Sequence, residues 1–395
     1  MGSRVSLRTA AIFLIVLGSL ALAPIGENIS TPDFGAPLSG LTADQLARFN
    51  TGKGAFQVVE TPEQGLGPVF NDVSCATCHS VAGVGGGSAR LETRFGTMTN
   101  GVFDPMSDAG GSLIQENGIG PQGTCNYLPE VVPPGATVVA HRRTTPLFGL
   151  GLVDAVPDAT YQAIAAAEAS NPDGIAGLVS VVTNLTTGQP AVGKFGWKGQ
   201  NPSLFQFSGD AYVNEMGVTS AQFPDENCPQ GDCASLSCNP DPGINDEDND
   251  VQKFADFMTF LAPPPRGPIT GQALLGEVVF FAIGCEGCHR SLLRTGPNPV
   301  VALNKVYFRP FSDFLLHDMG PLGDGITQNQ ATGNLMRTAP LWGVRKLTTY
   351  LHDGRASSLD QAILDHDGQG KKARDRFAAL SAGKKAWLFA FLNSL

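Results

Sequence analysis

Two short segments of this chain carry a residue pattern that can bind a cofactor covalently. Each has two cysteines three positions apart, followed at once by a histidine, and the copies lie 210 residues apart. Thiols at this spacing form thioethers with the vinyl groups of a c-type haem, and the histidine offers its imidazole to the iron. A pair of zinc knuckles is the alternative, but nothing near either copy completes the four ligands of zinc. We therefore expect two covalent haems, one at Cys75, Cys78 and His79 and one at Cys285, Cys288 and His289.

A helix is predicted before each motif, and a further helix closes the chain. Thr42 and Thr270 are suited to cap the first two helices, over 41–56 and up to about 282, and the third helix covers 381–395. Apolar residues recur in each at helical spacing, so each helix has one side that faces a core. The residues expected on these sides are Leu46, Phe49 and Phe56, then Leu274, Val278 and Phe281, and finally Trp387, Leu388, Phe391 and Leu392.

Length and composition favour two domains joined by long loops. Of the 395 residues, 42% are hydrophobic, while 48 Gly and 28 Pro predict many loops around short helices. We expect a mainly α protein of two cytochrome c-like domains, each with one covalent c-type haem, plus loop-rich insertions. The domains would span 41–250 and 269–395, with a proline-rich linker region over 251–268. The net charge of −10 argues against nucleic acid as a partner and would suit a basic electron-transfer protein.

The N-terminus and the remaining cysteines indicate an exported protein. Arg4 and Arg8 precede an uncharged apolar run, and we interpret 1–26 as a signal peptide that would tether the protein to a membrane only if it stays uncleaved. A periplasmic or otherwise exported protein fits haem attachment, which in bacteria takes place outside the cytoplasmic membrane. An oxidising compartment also favours two disulfides, with three pairings open. The cysteines concerned are Cys125, Cys228, Cys233 and Cys238.

His366 is the candidate second ligand of the C-terminal iron. Ser358 can cap a helix on which Leu359, Ala362, Ile363 and His366 share one face. A haem iron has two axial positions, and His289 fills only one of them. We expect His366 to fill the other, which gives a low-potential iron with two imidazole ligands.

The N-terminal haem has no matching donor on a helix. Met98, Met106 and Met216 lie in loop-like segments, and His141 is 62 residues beyond His79. Methionines in such segments more often serve packing than ligation. We interpret this iron as five-coordinate or water-bound, and such an open position is where peroxide or oxygen would bind.

Several further segments resemble one known family. The sequence is similar to the bacterial di-haem cytochrome c peroxidase and MauG superfamily, and more closely to its di-haem oxidoreductase branch, often labelled thiol oxidoreductase-like. The haem-bearing rubber oxygenases are also similar to this branch. The resemblance runs from about residue 41 to 395. Its motifs are Ser74 to His79, Leu147 to Asp158, Phe195 to Lys198, Leu315 to Gly320, Arg337 to Gly343 and Tyr350 to Ala356.

The resemblance implies a catalytic N-terminal haem and an electron-transfer C-terminal haem. In the peroxidases, a Met that ligates the second haem lies 14 residues after the His of a His-Asp-Gly motif. In this sequence that His is His352, and the position 14 residues later is His366. The peroxidases also use a distal-pocket glutamate, for which Asp154 is the nearest candidate. The alternative for Asp154 is to fix Arg142 or Arg143.

Other candidate residues follow from the same resemblance. Phe148 could cover the open site, with core packing as the alternative, and Trp197 could relay electrons or simply pack. Arg309, Arg337 and Arg355 could neutralise haem propionates, or pair with acids at the surface. The interdomain calcium of the peroxidases relies partly on a Thr-x-Pro, which is Leu347-Thr348-Thr349 here, so calcium is left open. The acidic run 245–250 lacks EF-hand spacing and is interpreted as a helix start.

These residues favour an exported oxidoreductase that uses peroxide or oxygen and takes electrons from a small cytochrome or other redox protein. One alternative is a non-catalytic electron-transfer cytochrome with both irons saturated. Another is an oxygenase acting on a hydrophobic substrate, which rests on similarity of fold alone.

Overall fold

The computed structural model describes residues 33–395, and short helices joined by long loops dominate this part of the chain. The predicted signal segment, 1–26, lies outside the described residues. None of the helices described is long and apolar enough to cross a membrane. The α-helices are α1 (Ala43–Ala55), α2 (Cys75–Cys78), α3 (Leu150–Asp154), α4 (Asp158–Glu168), α5 (Leu204–Met216), α6 (Asp250–Phe260), α7 (Gly271–Ile283), α8 (Leu359–Leu364), α9 (Lys371–Ala378) and α10 (Ala382–Leu392).

The strands are short and pair in small antiparallel sheets. The largest has the order β3-β2-β7, and its register places Thr93 opposite His141. The other pairs are β1 with β4, β5 with β6, β8 with β9, β10 with β11 and β12 with β13. The strands are β1 (Val69–Phe70), β2 (Leu91–Thr99), β3 (Val102–Asp104), β4 (Asn117–Gly118), β5 (Gly120–Gln122), β6 (Cys125–Tyr127), β7 (Val138–Arg143), β8 (Val181–Asn184), β9 (Gln189–Val192), β10 (Leu293–Arg294), β11 (Tyr307–Phe308), β12 (Leu316–Asp318) and β13 (Leu335–Arg337).

Helix α1 begins as predicted and packs against α6. The Thr42 side chain accepts from the Gln45 backbone, and Gln45 bonds back to the Thr42 backbone, which satisfies two free N–H groups. Phe49 and Phe56 are buried as expected, whereas Leu46 is exposed and the prediction for it was wrong. A Cβ at Gly52 would lie 2.1 Å from the Lys253 carbonyl oxygen, so glycine permits this close approach.

Helix α7 also begins at its predicted cap, but its buried face differs from the prediction. Leu274, Val278 and Phe281 are exposed. The buried residues are Ala273, Gly276, Val279, Phe280 and Ile283. A Cβ at Gly276 would lie 1.9 Å from the Trp387 carbonyl oxygen. The close contact between α7 and α10 therefore selects the face with the small residues. Helix α10 buries Leu388, Phe391 and Leu392 as predicted, and Trp387 is partly buried.

The described core consists mainly of two hydrophobic clusters. The larger extends from Phe49 to Trp342, and the smaller joins α7 and α10 through residues from Val279 to Leu395. Helix α6 begins at Asp250, the last residue of the acidic run, which is the helix start that was predicted there. The four remaining cysteines form two disulfides, Cys125–Cys238 and Cys228–Cys233, which resolves the pairing that the sequence left open.

Candidate functional site

The first cysteine–histidine motif forms one helical turn that ends at a buried histidine. Cys75 and Cys78 are free thiols on α2, and His79 follows directly. The Nδ1 atom of His79 lies 2.9 Å from the Gly86 carbonyl oxygen, to which it must donate. Burial lowers the pKa of His79 to about 4. The ring is therefore neutral at pH 7 and leaves Nε2 unprotonated, which is the state that a metal ligand requires.

The second motif repeats this arrangement and brings His366 opposite. Cys285 and Cys288 are free thiols, and the Nδ1 atom of His289 lies 3.0 Å from the Phe311 carbonyl oxygen. Burial, with His366 nearby, lowers the pKa of His289 to about 4. The His366 Nδ1 atom is 2.7 Å from the Ala362 carbonyl oxygen. Both rings thus keep a free Nε2.

The distance between these two imidazoles suits a metal bound between them. Their ring centroids are 6.4 Å apart. A metal at about 2 Å from each of two imidazole nitrogens needs centroids about 6 Å apart. Leu359, Ala362 and Ile363 line the same cavity as His366, but α8 ends at Leu364, so His366 lies just beyond the helix on which it was predicted.

Each motif opens onto its own cavity, and the two cavities differ in chemistry. The cavity beside His79 has a volume of about 530 Å³ and is rich in carboxylates, amides and guanidinium groups. The cavity beside His289 has a volume of about 230 Å³ and is lined mainly by apolar side chains. Arg143 and Trp197 line both.

The lining residues fit a haem in each cavity. Each cavity holds two free thiols and a neutral imidazole at the spacing described above. Arg143 is buried, and its Nε atom has no hydrogen-bond partner within the described residues. A buried cation with an unused donor needs an anion, and a haem propionate would supply one.

Two carboxyl groups meet in the cavity beside His79. Glu92 and Glu215 both line this cavity, and the charge of Glu92 acts on the Glu215 carboxyl group. Burial and the neighbouring Glu92 raise the pKa of Glu215 to about 7. Burial alone would raise the pKa of Glu92, but Arg94 and Arg142 outweigh it and lower that pKa. Such a separation of pKa values within a pair is typical of acid–base sites.

Neighbouring side chains hold this pair in place. Asn71 donates to the Glu215 carboxylate at 2.9 Å, and the Arg94 Nε atom donates to Glu92 at 2.8 Å. Sequence reasoning missed Glu215. The available signal was two acids, Asp210 and Glu215, on an otherwise largely apolar helix, α5.

The sequence model of one protein family matches residues 135–395, about two thirds of the chain, and is described as "Di-haem oxidoreductase, putative peroxidase". This chain belongs to the di-haem oxidoreductase family. The match includes the second motif and begins after the first. Membership implies haem cofactors and places the protein in the di-haem peroxidase and MauG superfamily, as the resemblance predicted.

The chain also has low similarity to several solved structures. A MauG-like protein associated with microbial copper homeostasis is 14% identical, with 94% of this chain and 95% of that chain covered and a TM-score of 0.42. The diheme peroxidase BthA from Burkholderia thailandensis is 16% identical, with 88% and 86% covered and a TM-score of 0.40. Hydrazine synthase from Kuenenia stuttgartiensis is 14% identical, with 100% and 99% covered and a TM-score of 0.40. No curated protein matches the chain.

Two residues predicted for catalysis lie outside both cavities of this di-haem oxidoreductase. Asp154 accepts from the Leu204 backbone N–H at 3.2 Å and lies 3.7 Å from Lys194 Nζ, so its partner is neither Arg142 nor Arg143. Phe148 is buried against Phe34, edge to face, in the core. Among the described residues, neither lines the cavity beside His79. Helix α3 packs closely against α6, since a Cβ at Gly151 would lie 2.0 Å from the Thr259 carbonyl oxygen.

Trp197 and Arg337 both line the second cavity. Trp197 lines both cavities, donates through Nε1 to the Arg143 carbonyl oxygen at 3.0 Å and meets His352 edge to face. Arg337 is buried in the lining of the second cavity, and burial lowers its pKa to about 10. Arg309 and Arg355 instead pair with Glu277 and Asp353 near the surface, the competing role for both.

The alternative donors for the first iron differ in position. Met98 is exposed on β2, and His141 is exposed on β7 beside Thr93. Met216 lines the first cavity, with its sulfur 3.9 Å from the Cys75 sulfur. Within the described residues, His79 is the single histidine that lines this cavity.

Proposed function

We propose that this protein is an exported di-haem c-type oxidoreductase of peroxidase type. It uses peroxide, or oxygen, at the haem of Cys75, Cys78 and His79. It takes electrons from a small redox protein through the haem of Cys285, Cys288 and His289. The observation that carries the proposal is the contrast between the cavities: a carboxyl pair lies beside His79, whereas a second imidazole lies beside His289.

The carboxyl pair supports peroxide chemistry. When bound, the haem would supply the redox chemistry that protein side chains lack. The Glu215 carboxylate would accept a proton from one peroxide oxygen and return it to the other, which leaves as water when the O–O bond breaks. Two electrons from the donor protein and two protons from solvent would reduce the first oxygen to a second water. Asn71 fixes the carboxylate, and Glu92 keeps the pKa of Glu215 near neutrality. The glutamate that the resemblance led us to expect at Asp154 is therefore assigned to Glu215.

Trp197 is suited to connect the two sites. Its indole lines both cavities and is held by the bond to Arg143. Its position therefore supports the predicted role as an electron relay.

The polar groups that line the first cavity favour a small hydrophilic oxidant over a hydrophobic substrate. Asn201, Gln200, Asp210 and Glu215 line it together with the arginines described above. Burying apolar surface against such groups would leave them without partners at a cost of about 1–3 kcal/mol each. Export is supported by the two disulfides, because oxidising compartments preserve them.

Steady-state peroxide turnover by the purified, haem-loaded protein tests the proposal. We expect turnover with a reduced small cytochrome as donor, and cyanide or carbon monoxide binding at one haem only. If neither haem binds these ligands and peroxide is not consumed, the protein is an electron carrier and the proposal is wrong.

A further inference from the structure

A buried cluster of three titratable side chains lies against the second motif and has no part in the function proposed above. Glu168 ends helix α4, Asp313 lies in the loop before β12, and His317 lies on β12. Their side chains are 8%, 0% and 1% exposed. The His317 Nε2 atom is 2.9 Å from Asp313 Oδ2 and 4.0 Å from Glu168 Oε2.

Hydrogen bonding fixes the protonation state of His317. The Gln369 Oε1 atom accepts from the Ala176 N–H, and its Nε2 donates to the Ala176 carbonyl oxygen, so the amide orientation is set. That Oε1 atom lies 2.8 Å from the His317 Nδ1 atom, which must therefore donate. Nε2 must also donate, because Asp313 presents a carboxylate oxygen. A ring with two donors is an imidazolium.

The charge of the cluster then depends on Glu168. The imidazolium balances one carboxylate, so the second carboxylate is in excess unless it holds a proton. Burial, reinforced by Asp313, raises the pKa of Glu168 to about 7. Glu168 also accepts from the Gly177 N–H at 2.9 Å. The charged groups that act on Glu168 are Asp313, His317 and Arg290.

The cluster is close enough to the second haem site to sense its charge. The His317 Nδ1 atom lies 3.5 Å from the Cys288 sulfur, and the Asp313 N–H donates to the Cys288 carbonyl oxygen. A Cβ at Gly177 would lie 2.6 Å from Glu168 Oε2 and 2.9 Å from His317 Cε1, so the Gly177 backbone packs directly against the cluster. In such a low-dielectric setting, an added electron at the haem and a carboxylate repel one another.

We propose that the cluster of Glu168, Asp313 and His317 takes up one proton when the haem at Cys285, Cys288 and His289 gains one electron. The electron comes from the reduced redox protein, and the proton comes from solvent and binds the Glu168 carboxylate. The inference rests on the proposed function, because it requires a haem at the second site. In this proposal, the proton bound by the cluster compensates the negative charge of the electron held at the second haem.

Spectroelectrochemical titration at pH 6, 7 and 8 tests the coupling. The reduction potential of the low-spin second haem should fall as pH rises, approaching a tenfold change in the reduction equilibrium constant for each pH unit. Glu168→Gln should remove most of this dependence, because the amide still accepts from Gly177 but binds no extra proton. Glu226→Gln is the matched control: burial raises the pKa of Glu226 to about 8, but the groups that act on it are Asn227, Asn239 and Asp241, none of which belongs to the cluster or to the second motif, so the slope should stay.

Redox-difference infrared spectra of the unaltered protein give a second readout. A carboxylic C=O band should appear on reduction at pH 7.5. A pH-independent potential, a slope that survives in Glu168→Gln, or the absence of this band would overturn the inference. If the purified protein carries no haem, the proposed function is refuted. This outcome is distinct from a haem-loaded protein whose potential does not depend on pH, which would refute the inference alone.

Discussion

The role of Glu215 leads to a specific pH dependence. If its carboxylate must accept a proton from peroxide, kcat/KM for peroxide should follow the ionised fraction in the free enzyme. With a pKa of about 7, that fraction is about one half at pH 7, one tenth at pH 6 and one hundredth at pH 5. At the ordinary value of 4.5, more than about nine tenths would already be ionised at pH 6. Activity should therefore fall about tenfold from pH 7.5 to pH 6.

Glu215→Gln should abolish this acid limb and lower kcat/KM by about 10²–10⁴-fold, the usual contribution of general acid–base catalysis. The amide oxygen can still accept from Asn71, so the shape of the cavity should persist. Stopped-flow mixing with peroxide at matched haem content, from pH 5 to 8.5, measures both effects. Asp154→Asn is the comparison, and its effect should stay within about threefold.

Two results would refute this reasoning. One is a flat profile between pH 5.5 and 8 in the unaltered protein. The other is a Glu215→Gln variant that retains more than a tenth of the activity at pH 7. A large loss in Asp154→Asn with little effect of Glu215→Gln would return the role to the residue that the sequence first indicated.

Two further perturbations address the second haem site and the insertions. His366→Met should keep a ligand opposite His289 and raise the reduction potential of that haem, because a thioether favours the reduced iron; an unchanged potential in spectroelectrochemistry would contradict ligation by His366. Replacing Cys125 and Cys238 by Ser removes a crosslink with a sequence separation of 113, whereas the Cys228–Cys233 separation is 5. Chain entropy then predicts that the free energy of unfolding falls by about 5 kcal/mol when the Cys125–Cys238 disulfide is removed and by about 2 kcal/mol when the Cys228–Cys233 disulfide is removed. Equal losses for the two variants in urea unfolding would argue against this account.

Local patterns predicted the motifs and the helix caps well. Thr42, Thr270 and Ser358 cap the helices predicted for them, because each cap is an interaction over three residues. His366 lines the cavity of the second motif although α8 ends at Leu364, before this residue, and its ligand role remains a prediction. These features depend on neighbours in the sequence.

Features set by distant contacts were not predictable. The inward face of α7 is decided by how closely α10 approaches Gly276, more than 100 residues later. Glu215 joins Glu92 across a separation of 123 residues, so neither appears as part of a pair in the sequence. Asp154, by contrast, stands out in an apolar stretch but bonds to Leu204 and faces Lys194.

Arg143 has a consequence for how the two sites respond to each other. Its guanidinium is buried where the cavities adjoin, and its Nε atom has no partner within the described chain. If this single positive charge forms an ion pair with an anion in one cavity, its attraction for an anion in the other cavity is weaker. An anion bound in one cavity should therefore weaken the interaction of Arg143 with an anion in the other, and this coupling acts equally in both directions.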